Sequence, residues 1–134
     1  MYKRQHHNYV EGYKGGQSAI LHLVASVEEV VREGLVFTFT EGHAVMDISH
    51  FYNNLRDLDK INWDIMDSRY WYDTIQDGDR KRRRQAEFLV HEFFPFTFFD
   101  SIGVINQTMA RQVTGLLQPL VKKPVVQVVP AWYY

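Results

Sequence analysis

Apolar residues along this chain gather in short runs whose period changes several times. SAILHLVA (residues 18–25) is an apolar run of strand length. It leads into Ser26-Val27-Glu28-Glu29, a capping-box pattern in which Ser26 caps and Glu29 reaches back. Val27, Val30 and Val31 then recur at helical spacing, and Gly34 supplies the stop. LVFTFT (35–40) is made of strand formers, and EGHA turns away from it. Residues 47–75 mix aromatics with many Asp and Asn, which predicts short helices and loops. QDGDR reads as a turn, QAEFLVH as a strand ended by Pro95, and SIGVIN as another short strand. From Thr108 to Leu120, the residues Met109, Val113, Leu116, Leu117 and Leu120 make one apolar helical stripe, read as core packing. Gly115 inside that stripe costs about 1 kcal/mol relative to Ala. Pro124 closes the helical region, and VVQVV is a last strand. The order β-α-β, irregular helices, β-β-α-β predicts an α+β domain with few, short strands. At 134 residues the prior is one domain with a real core.

Composition narrows the class. The chain is 46% hydrophobic and 23% charged, as in an ordinary globule rather than a disordered chain. Its net charge of −1 means that any affinity for polyanions must come from local clustering. With no cysteine there is no disulfide scaffold, thiolate metal site or Cys nucleophile, which agrees with a reducing compartment. No segment has the apolar length of a membrane span, and the polar start MYKRQHHNY is no signal peptide, so a cytoplasmic protein with no membrane partner is expected. The six histidines show no metal-ligand spacing, and no metal is expected. GYKGGQ (12–17) lacks the GxxxxGK[ST] pattern and reads as a tight turn rather than a phosphate loop.

One acid stands out. In a strand over QAEFLVH, Ala86, Phe88 and Val90 share one face, and Gln85, Glu87, Leu89 and His91 the other. Glu87 then lies either on a solvent face or on the wall of a cleft, and spacing leaves both open. Directly before it run Arg80, Lys81, Arg82, Arg83 and Arg84. Such a run is either a solvated loop or an electrostatic footprint for phosphates. Tyr70, Trp71 and Tyr72 nearby are either core residues or platforms for single-stranded bases.

Four stretches taken in order, YKGGQSAILHL (13–23), FTFTEGHA (37–44), INWDIMDSRYW (61–71) and RKRRRQAEFLVHEFFP (80–95), resemble the DarT family. These are DNA ADP-ribosyltransferase toxins paired with a macrodomain antitoxin, DarG. The resemblance implies an ADP-ribosyltransferase-like fold, a split antiparallel β core with flanking helices. It also implies an enzyme that uses NAD as co-substrate and attaches ADP-ribose to a base, typically thymidine, in single-stranded DNA. By the same comparison Gln85-Ala86-Glu87 matches the Q-x-E signature, with Glu87 the catalytic glutamate and Gln85 on the NAD side. His43 matches a position near the active site. Arg80, Lys81, Arg82, Arg83 and Arg84, with Tyr70 and Trp71, fall where the family recognises DNA. Family members carry a further N-terminal segment before the region matching MYKR, so the resemblance covers the C-terminal two-thirds of the family domain and implies a fold incomplete at its N-terminus. Two other readings use the same residues: a module that holds single-stranded nucleic acid without chemistry, and an inactive fragment.

Overall fold

The computed structural model describes residues 15–133, so Gly12, Tyr13 and Lys14 of the glycine turn lie outside the described residues. The chain divides into two compact units, residues 1–31 with 94–134 and residues 32–93.

The first unit holds a three-stranded sheet. Strand β1 (His22–Val24) pairs antiparallel with β5 (Ser101–Val104), with Leu23 opposite Ile102. Strand β6 (Val125–Val128) runs parallel to β5, which gives the order β1-β5-β6. Parallel neighbours need a crossover. Helix α4 (Gln107–Leu116) supplies it, started by Asn106, whose Oδ1 accepts the Met109 N–H at 2.9 Å. Ile102 and Val104 of β5 bury against Ala110, Val113 and Leu117, with Met109 and Val126 packed alongside. The predicted apolar stripe is therefore narrower than expected. Leu116 is 78% exposed and Leu120 39%, because the helix ends at Leu116 and only Ala110, Val113 and Leu117 turn fully inward. Gly103 leaves room for the Trp132 ring, which a Cβ would meet at 2.4 Å. The Tyr133 hydroxyl donates to the carbonyls of Ile20 (2.7 Å) and Gly103 (3.1 Å), and burial pushes its pKa up. Helix α1 (Val27–Arg32) starts on the predicted Ser26 cap: the Glu29 N–H donates to Ser26 Oγ at 3.1 Å, and Gly34 (φ +67°) follows its end.

The second unit is built on an antiparallel sheet. Strand β2 (Phe37–Thr40) lies between β3 (Phe51–Tyr52) and β4 (Phe88–Val90), in the order β3-β2-β4. Aromatic pairs knit it across the strands: Phe37 stacks on Phe88 (5.1 Å between centroids) and Phe39 on Tyr52 (5.5 Å). Phe39 is 2% exposed. A 3-10 turn (Leu55–Lys60) and helix α2 (Trp63–Asp67) fill the irregular region and contribute the buried Ile61 and Ile65. The remaining helix, α3 (Arg80–Arg83), is the cation run itself. Two expectations change here. The predicted strand over residues 85–91 shortens to Phe88–Val90, since Gln85 and Ala86 instead close α3 with N–H bonds to the carbonyls of Arg82 (3.0 Å) and Arg83 (3.2 Å). The run of cations is also no solvated loop but a helix whose guanidinium groups face internal acceptors.

Candidate active site

Two chain segments meet at the site: the turn that leaves β2 and the residue that enters β4. Thr40 joins them. Its N–H donates to the Glu87 carbonyl at 2.9 Å, which extends the β2–β4 ladder by one step. The Thr40 hydroxyl, fully buried, accepts the Glu87 N–H at 3.2 Å and donates to the Gly42 carbonyl at 2.5 Å. One hydroxyl thus fixes the backbone of Glu87 and of the turn together.

The side chains above it form a pair. His43 Nδ1 lies 2.9 Å from Glu87 Oε1, and the Ala44 N–H donates to the same oxygen at 3.3 Å. A carboxylate only accepts, so the proton of this pair sits on Nδ1, and a neutral ring then presents Nε2 as an acceptor. Among the described residues, the hydrogen bonds to the Glu87 carboxylate all run through Oε1, which leaves Oε2 for another donor. The side chains of His43 and Glu87 are 32% and 38% exposed, so both can be reached from solvent. Gln85 is half-buried beside them in sequence, at the close of α3.

The cation run packs against this turn. Arg82 forks onto Asp79, Nε to Oδ1 and Nη2 to Oδ2, both at 2.7 Å, while Nη1 reaches Glu41 Oε1 at 2.9 Å and Ser49 Oγ at 3.1 Å. Its side chain is only 11% exposed. The hydrogen bond from Arg82, together with the fields of Arg82 and Arg83, lowers the Asp79 pKa against a burial penalty. Burial pushes the Glu41 carboxyl up, but hydrogen bonds from the backbones of Glu41 and His50 and from the Arg82 and His50 side chains bring it below the ordinary 4.5. Arg82 in turn is held more firmly protonated by Asp79, against its own burial, and by Glu41. Arg83 pairs with Asp77. Arg80 donates to Ser68 Oγ (2.6 Å) and the Tyr70 carbonyl (3.0 Å). Arg84, 8% exposed, caps the end of α2 through the carbonyls of Ile65, Met66 and Ser68 and lies 4.1 Å over the Trp71 ring. Four guanidiniums are therefore engaged within the chain, and Lys81 is the member of the run that is exposed. Tyr70 is 77% exposed, whereas Trp71 lies partly beneath Arg84.

Sequence reasoning named His43, Gln85 and Glu87 but not Thr40, Glu41, Ser49 or Asp79. The partners of Arg82 across the turn are distant along the chain, and nothing in their spacing announces the contact. Among the described residues no cluster of three or more His, Asp or Glu could hold a metal ion, and no helix is long and apolar enough to cross a membrane.

Comparison with known proteins places this geometry. A family profile described as ssDNA thymidine ADP-ribosyltransferase, DarT, matches residues 1–134. A protein of Thermus sp. (strain 2.9) named DNA ADP-ribosyl transferase is 36% identical over 124 residues, which span 91% of this chain and 58% of that protein. The chain thus covers less than two-thirds of that relative. The structure of Thermus sp. 2.9 DarT in complex with NAD+ superposes with a TM-score of 0.91 at 32% identity, covering 99% of this chain and 66% of that one. The same protein in complex with ADP-ribosylated ssDNA also gives 0.91 at 32% identity, covering 99% and 63%. The likeness extends over 99% of the chain, whose mixed helices and short sheets match the DarT ADP-ribosyltransferase fold, and the chain belongs to the DarT family.

Proposed function

We propose that the protein transfers ADP-ribose from NAD+ to a thymidine base in single-stranded DNA, with Glu87 as the catalytic carboxylate. The observation that carries this reading is the position of Glu87. It stands on the last ladder step between β2 and β4, oriented by His43 and Ala44 through Oε1, in a side chain that is 38% exposed. Rupture of a glycosidic bond to ribose builds positive charge on the sugar, as in glycoside hydrolysis. A carboxylate fixed on rigid backbone stabilises that charge without reorganising as it forms. Oε2 is suited to accept a ribose hydroxyl. Nicotinamide leaves as a neutral base with the bonding electron pair, so its departure needs no general acid. The base atom that bonds to the ribose gives up a proton, and His43 Nε2 is the acceptor that the Nδ1–Glu87 contact leaves open. Gln85 is assigned to the NAD+ side of the site. Lys81 and Tyr70, both exposed, are assigned to the DNA backbone and a stacked base, with the half-buried Trp71 next to Tyr70 in the same stretch. The likeness to Thermus DarT in complex with NAD+ and with ADP-ribosylated ssDNA supports this assignment.

The family resemblance extends the proposal to a toxin held in check in the cytoplasm by a macrodomain partner, DarG. The rival reading, a nucleic-acid-binding module without chemistry, draws little support from a cation run whose guanidiniums bond within the chain. The deciding assay is transfer of label from NAD+ to a thymidine-containing oligonucleotide. Glu87→Ala is expected to lower transfer by at least about 10²-fold while circular dichroism and the melting transition stay as in the parent. Equal labelling by the variant would show that Glu87 is not the catalytic carboxylate.

A further inference from the structure

We infer that Arg82 is a positioning residue for the His43–Glu87 pair rather than a contact for DNA. The inference rests on the transferase reading above and changes the job of one residue in the cation run. The backbone of His43 is held on both sides by Arg82. Its N–H donates to the Arg82 carbonyl at 3.0 Å. Its carbonyl accepts the Ser49 hydroxyl at 2.8 Å, and that same Ser49 oxygen accepts from Arg82 Nη1 at 3.1 Å. Gly42, between Glu41 and His43, is built around the guanidinium: a Cβ there would lie 2.1 Å from Nη1 and 2.8 Å from Cζ. The carboxylates of Asp79 and Glu41 hold the fork in place from opposite sides. A guanidinium so enclosed, in a side chain only 11% exposed, has little surface left for a phosphate. It does have a path to the chemistry, because a shift of the 41–44 turn moves His43 Nδ1 and the Ala44 N–H, which together aim Glu87 Oε1. The guanidinium serves four acceptor oxygens, Asp79 Oδ1 and Oδ2, Glu41 Oε1 and Ser49 Oγ, one more than the three donors of an ammonium, so lysine restores the charge but not the arrangement.

The test compares Arg82→Gln and Arg82→Lys with the parent chain. Displacement of a catalytic group by about 1 Å costs about 10²-fold in rate. The turnover number of Arg82→Gln should therefore fall by about 10- to 100-fold, with oligonucleotide affinity and its salt dependence unchanged and Arg82→Lys intermediate. A phosphate contact would behave oppositely, with weaker binding and a salt slope smaller by about one at unaltered turnover, and that outcome overturns the inference. A second readout needs no substrate: ¹⁵N-resolved imidazole spectra should show His43 protonated at Nδ1 in the parent and mixed tautomers in folded Arg82→Gln. If the parent transfers nothing, the enzymatic reading is lost while the spectra still judge Arg82; unchanged His43 signals refute the positioning role. Should Arg82→Gln fail to fold, Ser49→Ala cuts the same link with the carboxylate clamp intact. It must move the His43 signals in the same direction, and their constancy would likewise refute it.

Discussion

Thr40 shows how much a single buried hydroxyl can organise. It accepts from Glu87 and donates to Gly42, so its loss leaves a part-buried N–H and a buried carbonyl without this partner at the point where the two site segments join. Each such group costs about 1–3 kcal/mol, and valine, though similar in shape, supplies no hydroxyl. Thr40→Val is expected to destabilise by about 2 kcal/mol in urea titration and also to lower the proposed transferase activity; a variant as stable as the parent would show that water replaces the hydroxyl. At this scale the sequence disclosed part of the site. Glu87 stood out as an acid inside an apolar run, but its pairing with His43 spans a separation that no spacing rule covers, and the family resemblance brought the two together. Thr40 looked like an ordinary strand residue, and Ser49 gave no signal at all.

Helix α3 is an unusual element, four cationic residues in succession with no acid in its first turn. The positive end of the helix dipole and mutual repulsion both work against it. Surrounding acids compensate: Asp77 faces Arg83, while Asp79 and Glu41 face Arg82. This makes the element sensitive to acid. Glu41 and Asp79 both have folded pKa values below the ordinary 4.5 and 3.8. Their contribution to stability is thus complete above those ordinary values and is lost as pH falls through the lowered ones. Melting temperature should drop between about pH 5 and about pH 3, and Asp79→Asn should flatten that dependence while lowering stability at neutral pH. An equally steep profile in the variant would assign the acid sensitivity elsewhere. Strands β1, β2, β5 and β6 were readable from their β-branched and aromatic runs, and α4 from its period. Strand β3 was not, since two residues, Phe51 and Tyr52, are too short to establish an alternation. Helix α3 escaped for a related reason: five cations carry no apolar period, and what holds them is Asp77 and Asp79 just before the run together with the distant Glu41.

For the whole molecule, a net charge of −1 conceals local order: five of the fifteen Lys and Arg residues stand in one run, and acids outside it pair with Arg82 and Arg83. Charge counting along the sequence therefore overstates the field offered to a polyanion, because it cannot see which guanidiniums have internal acceptors. The two units also differ in how the chain composes them. Residues 32–93 form one continuous stretch, whereas the other unit joins residues 1–31 to 94–134. A ribosome releases these pieces in order. Every partner of the β3-β2-β4 sheet and of the His43–Glu87 pair has been synthesised before Ile102 arrives to meet Leu23. Loop-closure entropy favours the same sequence of events in a refolding chain. Pulse-labelled hydrogen exchange should find the amides of β2 and β4 protected ahead of those of β1 and β5, and the reverse order would show that the enclosing segments nucleate first. On this view the His43–Glu87 pair is assembled early in the life of the polypeptide, before the sheet that flanks it in sequence can close.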